Sequence, residues 1–394
     1  MAAAAIVMLT VTACGGSSGG QAGSGTANAE LAKVLRAELA GKVPASVQRQ
    51  LEGGGKLATG QPVPGYPKGA PPSPANVFHL SAADRAKLKA GHYTAAIAMH
   101  LMNASWPRLQ VQAIKATLQN LGVKVIGVTD AKFNASTQIN DIQTLLTRHP
   151  DVLFSIPVNP TTEASTYKSV QSHGTKLVLL DNVPKGLSPG KDYVTIVSAN
   201  NGGDARYATE QLVKHVGCTG TVGYLGIGYY FPVVTVRDNN ALKVLGRCKN
   251  LKLVKQTFTD ETNQAHQEAM SMLVAHPDMK GMWAAWDTVA AQVVSAEKAQ
   301  GMKIFIATSD LGHLSALQMA QGYIQAIGSQ QPYAQGVAEA KAAAYSLLGK
   351  KVPPFIEVPT VPVTQADLIP AYKKVLHADP PADVINALKQ SAGM

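Results

Sequence analysis

The chain has 394 residues, of which 46% are hydrophobic and only 15% charged, against about a quarter charged in ordinary soluble domains. Such a composition supports a large core and excludes a mostly disordered or collagen-like chain. The net charge is +10, but no dense basic stripe interleaved with aromatics appears, so no nucleic-acid partner is expected.

In chain order, residues 1–14 come first: a mostly apolar run from Ala2 to Ala13 ends in small residues directly before Cys14. This is the pattern of an export signal rather than of folded structure. Val11-Thr12-Ala13-Cys14 resembles a bacterial lipobox, and the resemblance implies lipidation at Cys14. The expected location is then outside the cell, lipid-anchored at the outer face of the cytoplasmic membrane or in the periplasm. No later window holds about eighteen consecutive apolar residues, so no spanning helix is expected.

Residues 15–90 read as tether and stalk. Gly, Ser and Ala dominate 15–28, a flexible composition. Helical spacing of Leu31, Val34, Leu35 and Leu39 stops at Pro44, and 53–76 carries three consecutive glycines and six prolines, an extended spacer. Ser81 with Asp84 three residues on marks a helix start. The whole stretch has too few apolar residues for a core of its own. Residues 30–90 hold nine Lys/Arg against four acids, half of the net charge.

From Tyr93 the pattern becomes regular. The apolar runs YTAAIAM, VKVIGV, VLFSI, KLVLL, YVTIV, TVGYLG, LKLVKQTF, GMWAAW, KIFIAT and YIQAIG alternate with helical segments. These fall over 107–121, around Ile139 to Leu146, and over 161–173, 203–216, 233–246, 262–276, 287–300, 313–321 and 333–349. Strands alternating with helices imply parallel sheets covered on both faces. The number of units exceeds one comfortable sheet, so the expected fold is α/β with two doubly wound lobes. Three crossings near 198–201, 330–332 and 353–359 would join them. The N-terminal lobe is expected over 91–199 plus 331–355, and the C-terminal lobe over 200–330 plus 356–380.

Three cysteines occur. With Cys14 lipidated, Cys218 and Cys248 are left as a pair, each just before a strand-like run. They read either as a disulfide between neighbouring strands or as two buried free thiols.

Ligands of such sheets bind beyond the carboxyl ends of the strands. The residues there are His100, Asn103 and Trp106, Pro157 and Asn159, Asp181 and Asn182, Tyr229 to Phe231, and Arg237 in the next helix. Trp286, Asp287, Asp310 and Gln330 complete the set, with Asp287 read first as a helix cap. Carboxylates, amides, one guanidinium and aromatic rings suit a small neutral polyhydroxylated ligand: acids accept hydroxyl protons, donors reach hydroxyl oxygens, and rings cover C–H faces.

The stretches LMNASWPRLQ, SIPVNPTT, LVLLDNVPKG, FPVVTVRDNNALK, MLVAHPDMKGMWAAWD, IATSD and IGSQQPYAQGVAEA, in this order, resemble the type I periplasmic binding proteins, specifically the ribose/galactose-type sugar-binding subunits of bacterial ABC importers. The resemblance covers about 91–375. It implies a polar contact at Asn103, a stacking wall at Trp106, carboxylates at Asp181 and Asp310, a donor at Arg237 and an interlobe amide at Gln330. Asn182 and Trp286 stand where ribose binders carry Arg and Asn, which argues against ribose itself. It further implies a monomer that closes on a neutral sugar or polyol and delivers it to an ABC permease. A sensor presenting the same solute to a membrane receptor is the alternative.

Catalysis is not expected. Gly226 and Gly228 lack the third glycine of a dinucleotide fingerprint, since Phe231 stands there. No phosphate-binding G-x-x-x-x-G-K-[ST], no H-E-x-x-H and no C-x-x-C occurs, so neither cofactor nor metal is expected. A G-x-S-x-G match falls only in the Gly15–Gly20 tether, without the strand and helix that a nucleophile elbow needs.

Overall fold

A computed structural model describes residues 22–45, 47–48 and 71–394. Cys14 and its lipobox, the first part of the tether and most of the Pro/Gly-rich spacer lie outside the described residues. No helix among the described residues is long and apolar enough to cross a membrane.

The alternating runs fold as two sheets. The first contains β1 (Ser73–Pro74), β2 (Thr94–Met99), β3 (Lys124–Asp130), β4 (Val152–Ser155), β5 (Lys176–Leu180), β6 (Thr195–Ala199) and β12 (Phe355–Val358). Its order is β1-β12-β6-β5-β4-β2-β3, parallel throughout. The second contains β7 (Thr219–Ile227), β8 (Asn250–Phe258), β9 (Met279–Ala284), β10 (Phe305–Ser309), β11 (Ile324–Ser329) and β13 (Val361–Val363). Its order is β13-β11-β10-β9-β7-β8, with only β13 antiparallel. Central strands such as β4 and β6 are buried on both faces, which is why they read as unbroken apolar runs.

Each sheet repeats one plan. Taken in chain order, the five principal strands of either lobe lie in the order 2-1-3-4-5, so the strand order reverses between the first and third strands. That reversal opens a crevice at the carboxyl ends of the sheet.

Between the strands of lobe one lie α3 (Ser105–Asn120), α4 (Ala135–Leu146) and α5 (Ala164–Ser169). Lobe two holds α6 (Asn201–Val216), α7 (Pro232–Leu245), α8 (Asn263–Ala275), α9 (Asp287–Gln300) and α10 (His313–Ala320). The chain crosses between lobes from β6 into α6, from β11 into α11 (Pro332–Leu347), which packs on α3 and β6, and from β12 into β13. The third crossing therefore falls at 359–360, and the expected lobe boundary at 355 is corrected. The prolines of 353–354 lead into β12 rather than between lobes: their carbonyls accept from Thr195 Oγ1 (2.7 Å) and Ile196 N (3.3 Å). After β13, α12 (Leu368–Leu376) and α13 (Ala382–Ser391) complete lobe two.

The stalk is also corrected where it is described. Residues 73–90 belong to lobe one. β1 pairs with β12 at its edge, and Phe78 is buried against Val197 and Ile356. A further helix, α2 (Ala82–Ala90), carries the expected Ser81–Asp84 capping box and buries Leu88 against Leu121. Lys350 Nζ lies 2.6 Å from Asp84 Oδ2. Earlier in the chain, α1 (Ala22–Leu39) begins inside the stretch read as tether and packs on α13 and on the turn Gln365–Asp367. Its Ala32 and Leu35 are buried. Too few apolar residues for an independent core are enough to extend an existing one.

Cys218 and Cys248 are joined, with Cα atoms 5.0 Å apart. They lie at the starts of β7 and β8, which run side by side.

Candidate ligand-binding cleft

The carboxyl ends of both sheets face a cavity of about 990 Å³ between the lobes. Of the eight positions that the family resemblance singles out, seven line it: Asn103, Trp106, Asp181, Arg237, Trp286, Asp310 and Gln330; of the other strand-end candidates, Pro157, Asn159 and Tyr230 do not. The eighth position, Asn182, does not line it either. Its carboxamide is fully buried, with no partner among the described residues, because the left-handed turn at Asp181 sends the two neighbouring side chains in different directions.

Asp181 and Asp310 occupy equivalent places in the two lobes. Each directly follows the fourth principal strand, β5 or β10. Each has a positive φ, 53° and 70°. Each donates its N–H to the fifth strand, Asp181 to Val197 O at 3.0 Å and Asp310 to Gly328 O at 3.2 Å. Asp is among the few residues that tolerate the left-handed region, and such backbone strain concentrates at functional positions.

The two carboxylates are held differently. Asp181 Oδ1 accepts from Ser198 Oγ (2.7 Å) and Ala199 N (3.3 Å). Burial nevertheless raises the pKa of its carboxyl above the ordinary value. Asp310 is ion-paired with both terminal nitrogens of Arg237, at 2.7 and 3.3 Å. Arg237 is only 3% exposed, and its Nε donates to Asn201 Oδ1 at 2.8 Å. Burial works against its charge, but Asp310, Asp204 and Asp181 outweigh that and raise its pKa.

Gln330 sits in the second crossing and links the lobes. Its Nε2 donates to Asp310 Oδ1 (2.8 Å), and its Oε1 accepts from Trp106 Nε1 (2.8 Å). Trp286 Nε1 donates to Glu261 Oε2 at 2.8 Å. Asp287 is the first residue of α9 but also lines the cleft. Its Oδ1 accepts from Thr288 N at 2.9 Å. Burial, then the neighbouring Asp310, push its carboxyl up to about 7.

His100 follows β2 and is buried, and desolvation pushes its imidazole down to about 3. The ring is therefore neutral. It lies near Phe133 and Phe231, at 5.8 and 6.1 Å between centroids. Phe133 and Glu261 line the cleft without having been anticipated. They follow the edge strands β3 and β8, and the strand-end rule, carried to those two ends, reaches both. Among the described residues no three His, Cys, Asp or Glu side chains cluster as a metal site requires.

Two lobes joined by three crossings, each presenting a strained aspartate to one cleft, define a protein that encloses a small polar molecule. The chain belongs to the periplasmic binding protein domain family, which residues 95–351 match. This is a family of solute-binding proteins rather than enzymes, and it works outside the cytoplasm. Similar solved structures include an ABC transporter solute-binding protein from Agrobacterium vitis bound with α-D-tagatopyranose. It is 17% identical with TM-score 0.67, covering 73% of this chain and 100% of that one. The arabinose ABC transporter binding protein from Shewanella sp. ANA-3 is 20% identical, TM-score 0.65, covering 71% and 95%. A solute-binding protein from Mycobacterium smegmatis with bound glycerol is 22% identical, TM-score 0.63, covering 71% and 96%. At these identities the likeness establishes the fold. No curated protein sequence matches the chain.

Proposed function

We propose that the protein captures a small sugar or polyol between its lobes and delivers it to an ABC permease, itself performing no catalysis. One observation carries this. A carboxylate from each lobe, Asp181 and Asp310, lines a single cleft around one buried guanidinium, with an indole reaching across through Gln330. Acids gripping hydroxyls and indoles covering C–H faces is the chemistry of polyol recognition. The sugar and polyol complexes among similar structures support the same ligand class. Acylation of Cys14 would hold the protein, as a monomer, at the outer face of the membrane.

The test is a thermal-shift screen of sugars, polyols and small polar metabolites. A true ligand at about 100 times its Kd adds about 2.7 kcal/mol of stability. At least one sugar or polyol is expected to raise Tm, and Asp181→Asn should abolish the rise. A screen in which only charged metabolites stabilise the protein would overturn the proposal.

A further inference from the structure

The cleft is polarised along its length, and the strand order is the cause. Its hinge-side end is formed by β5, β6, β10 and β11, the strands next to the crossings. The groups there are Asp181, Ser198, Asp310 and Gln330, with Arg237 drawn to them by its ion pair. The far end is formed by the remote strands β2, β3, β7 and β8. The residues that end or follow these include His100, Phe133, Tyr229, Phe231 and Phe258, with Asn103, Lys132 and Glu261 following the same strands; the Glu261 carboxylate is engaged by Trp286 Nε1.

The far end is an aromatic wall built from both lobes. Phe133 of lobe one lies 5.5 Å from Phe231 and 6.2 Å from Tyr229 of lobe two, between ring centroids. Phe133 holds φ 58°, a costly conformation for a bulky side chain. Tyr229 is 39% exposed, an apolar surface at the cleft mouth. Asp130 and Asp260 also line this end. Their carboxylates are engaged locally, by Lys132 N and by Thr262 N and Oγ1. The cavity of about 990 Å³ is at the upper end of the roughly 300–1,000 Å³ that encloses drug-sized molecules, so one sugar ring leaves the aromatic end unfilled.

We propose that the preferred ligand is a glycoside carrying one apolar ring, its sugar gripped at the hinge end and its aglycone seated among Phe133, Tyr229 and Phe231. This rests on the sugar-binding function proposed above. It adds a second, apolar subsite to that function.

Matched pairs of methyl and phenyl β-glycosides of glucose, galactose, xylose and ribose, together with the free sugars, test it by thermal shift and calorimetry on the whole protein. For the sugar that responds, the phenyl glycoside is expected to bind about tenfold tighter than the methyl glycoside, about 1.4 kcal/mol. In Tyr229→Ala, and separately in Phe133→Ala, that ratio should fall toward one. If methyl and phenyl partners bind equally, the apolar subsite is overturned while sugar capture stands, and the rings serve only to latch the lobes. If none of these sugars or glycosides binds while the wider screen finds another sugar or a polyol that does, the glycoside subsite is overturned and solute capture stands; if that screen finds neither, both fail.

Discussion

Asp310 does two things at once, and both Asp310→Ala and Asp310→Asn leave Arg237 without its counter-charge. It neutralises Arg237, which is 3% exposed, and it presents oxygen to the cleft. Removing one member of a buried ion pair strands the other charge, so Asp310→Ala should lose both fold stability and affinity. Asp310→Asn keeps the shape and a side chain that tolerates positive φ. For that variant calorimetry should show binding weakened by about 2–3 kcal/mol, the loss of a charge-assisted hydrogen bond in a buried site. Unchanged affinity would move the ligand away from Asp310. Asp287 yields a pH prediction. Its carboxyl is pushed from 3.8 up to about 7 by burial and by Asp310, so the folded protein keeps a proton that the unfolded chain releases. The associated stability is present at low pH, declines as pH rises from about 4 to 7, and is level above that. Asp287→Asn should therefore make the fall in Tm between pH 4.5 and 7.5 shallower; a slope identical to wild type would contradict the assignment. The strand-end rule located both aspartates from sequence because Asp directly after an apolar run is a local signal. It failed at Asn182, since the left-handed turn at Asp181 breaks the alternation of side-chain directions, and the sequence does not carry that parity past the turn.

Single elements show the same division. Ten strands from β2 to β11 were legible because each carries apolar residues bounded by turn residues; most are buried runs, while the edge strands β3 and β8 stay largely half-buried or exposed. β1, β12 and β13 span two to four residues each and lie among prolines; strands this short carry too little pattern. α1 is legible as a helix of a stalk that leans on the body, but where it docks depends on an apolar patch supplied by α13, far away in sequence. That docking is expected to weaken as pH rises. Glu38 of α1 is buried near Asp367, and burial, then Asp367, push its carboxyl up to about 8. Asp367 is itself pushed up to about 7 by burial. Both raised values mean stability that is present at low pH and lost as pH climbs toward 8. Glu38→Gln should raise protection of the 28–39 amides from hydrogen exchange at pH 8 and change little at pH 5. The opposite ranking would sink the assignment. The Cys218–Cys248 bridge closes a loop with a sequence separation of 30, which in the chain-entropy account contributes about 3–4 kcal/mol. The double variant Cys218→Ser, Cys248→Ser should lower the denaturant-unfolding free energy by about that much without abolishing ligand binding, since neither residue lines the cleft.

Across the whole molecule, the groups expected to hold the ligand also hold the lobes together. Trp106 of lobe one reaches Asp310 of lobe two through Gln330, and Phe133 meets Phe231. Contacts that exist only when the lobes are shut favour the shut state, and a ligand touching both lobes adds its differential affinity to them. Gln330→Ala cuts the polar relay: Trp106 Nε1 loses its acceptor and Asp310 Oδ1 one of its donors. Closure then depends more heavily on the ligand. When the competent state is a smaller fraction of the free protein, the apparent Kd rises by the inverse of that fraction. In solution scattering, wild-type protein should become more compact on adding ligand. Gln330→Ala should reach the same final radius of gyration, but only at higher ligand concentration. If the variant compacts over the same ligand range as wild type, the Trp106–Gln330–Asp310 relay has no part in closure, and the hinge is governed by the aromatic contacts alone.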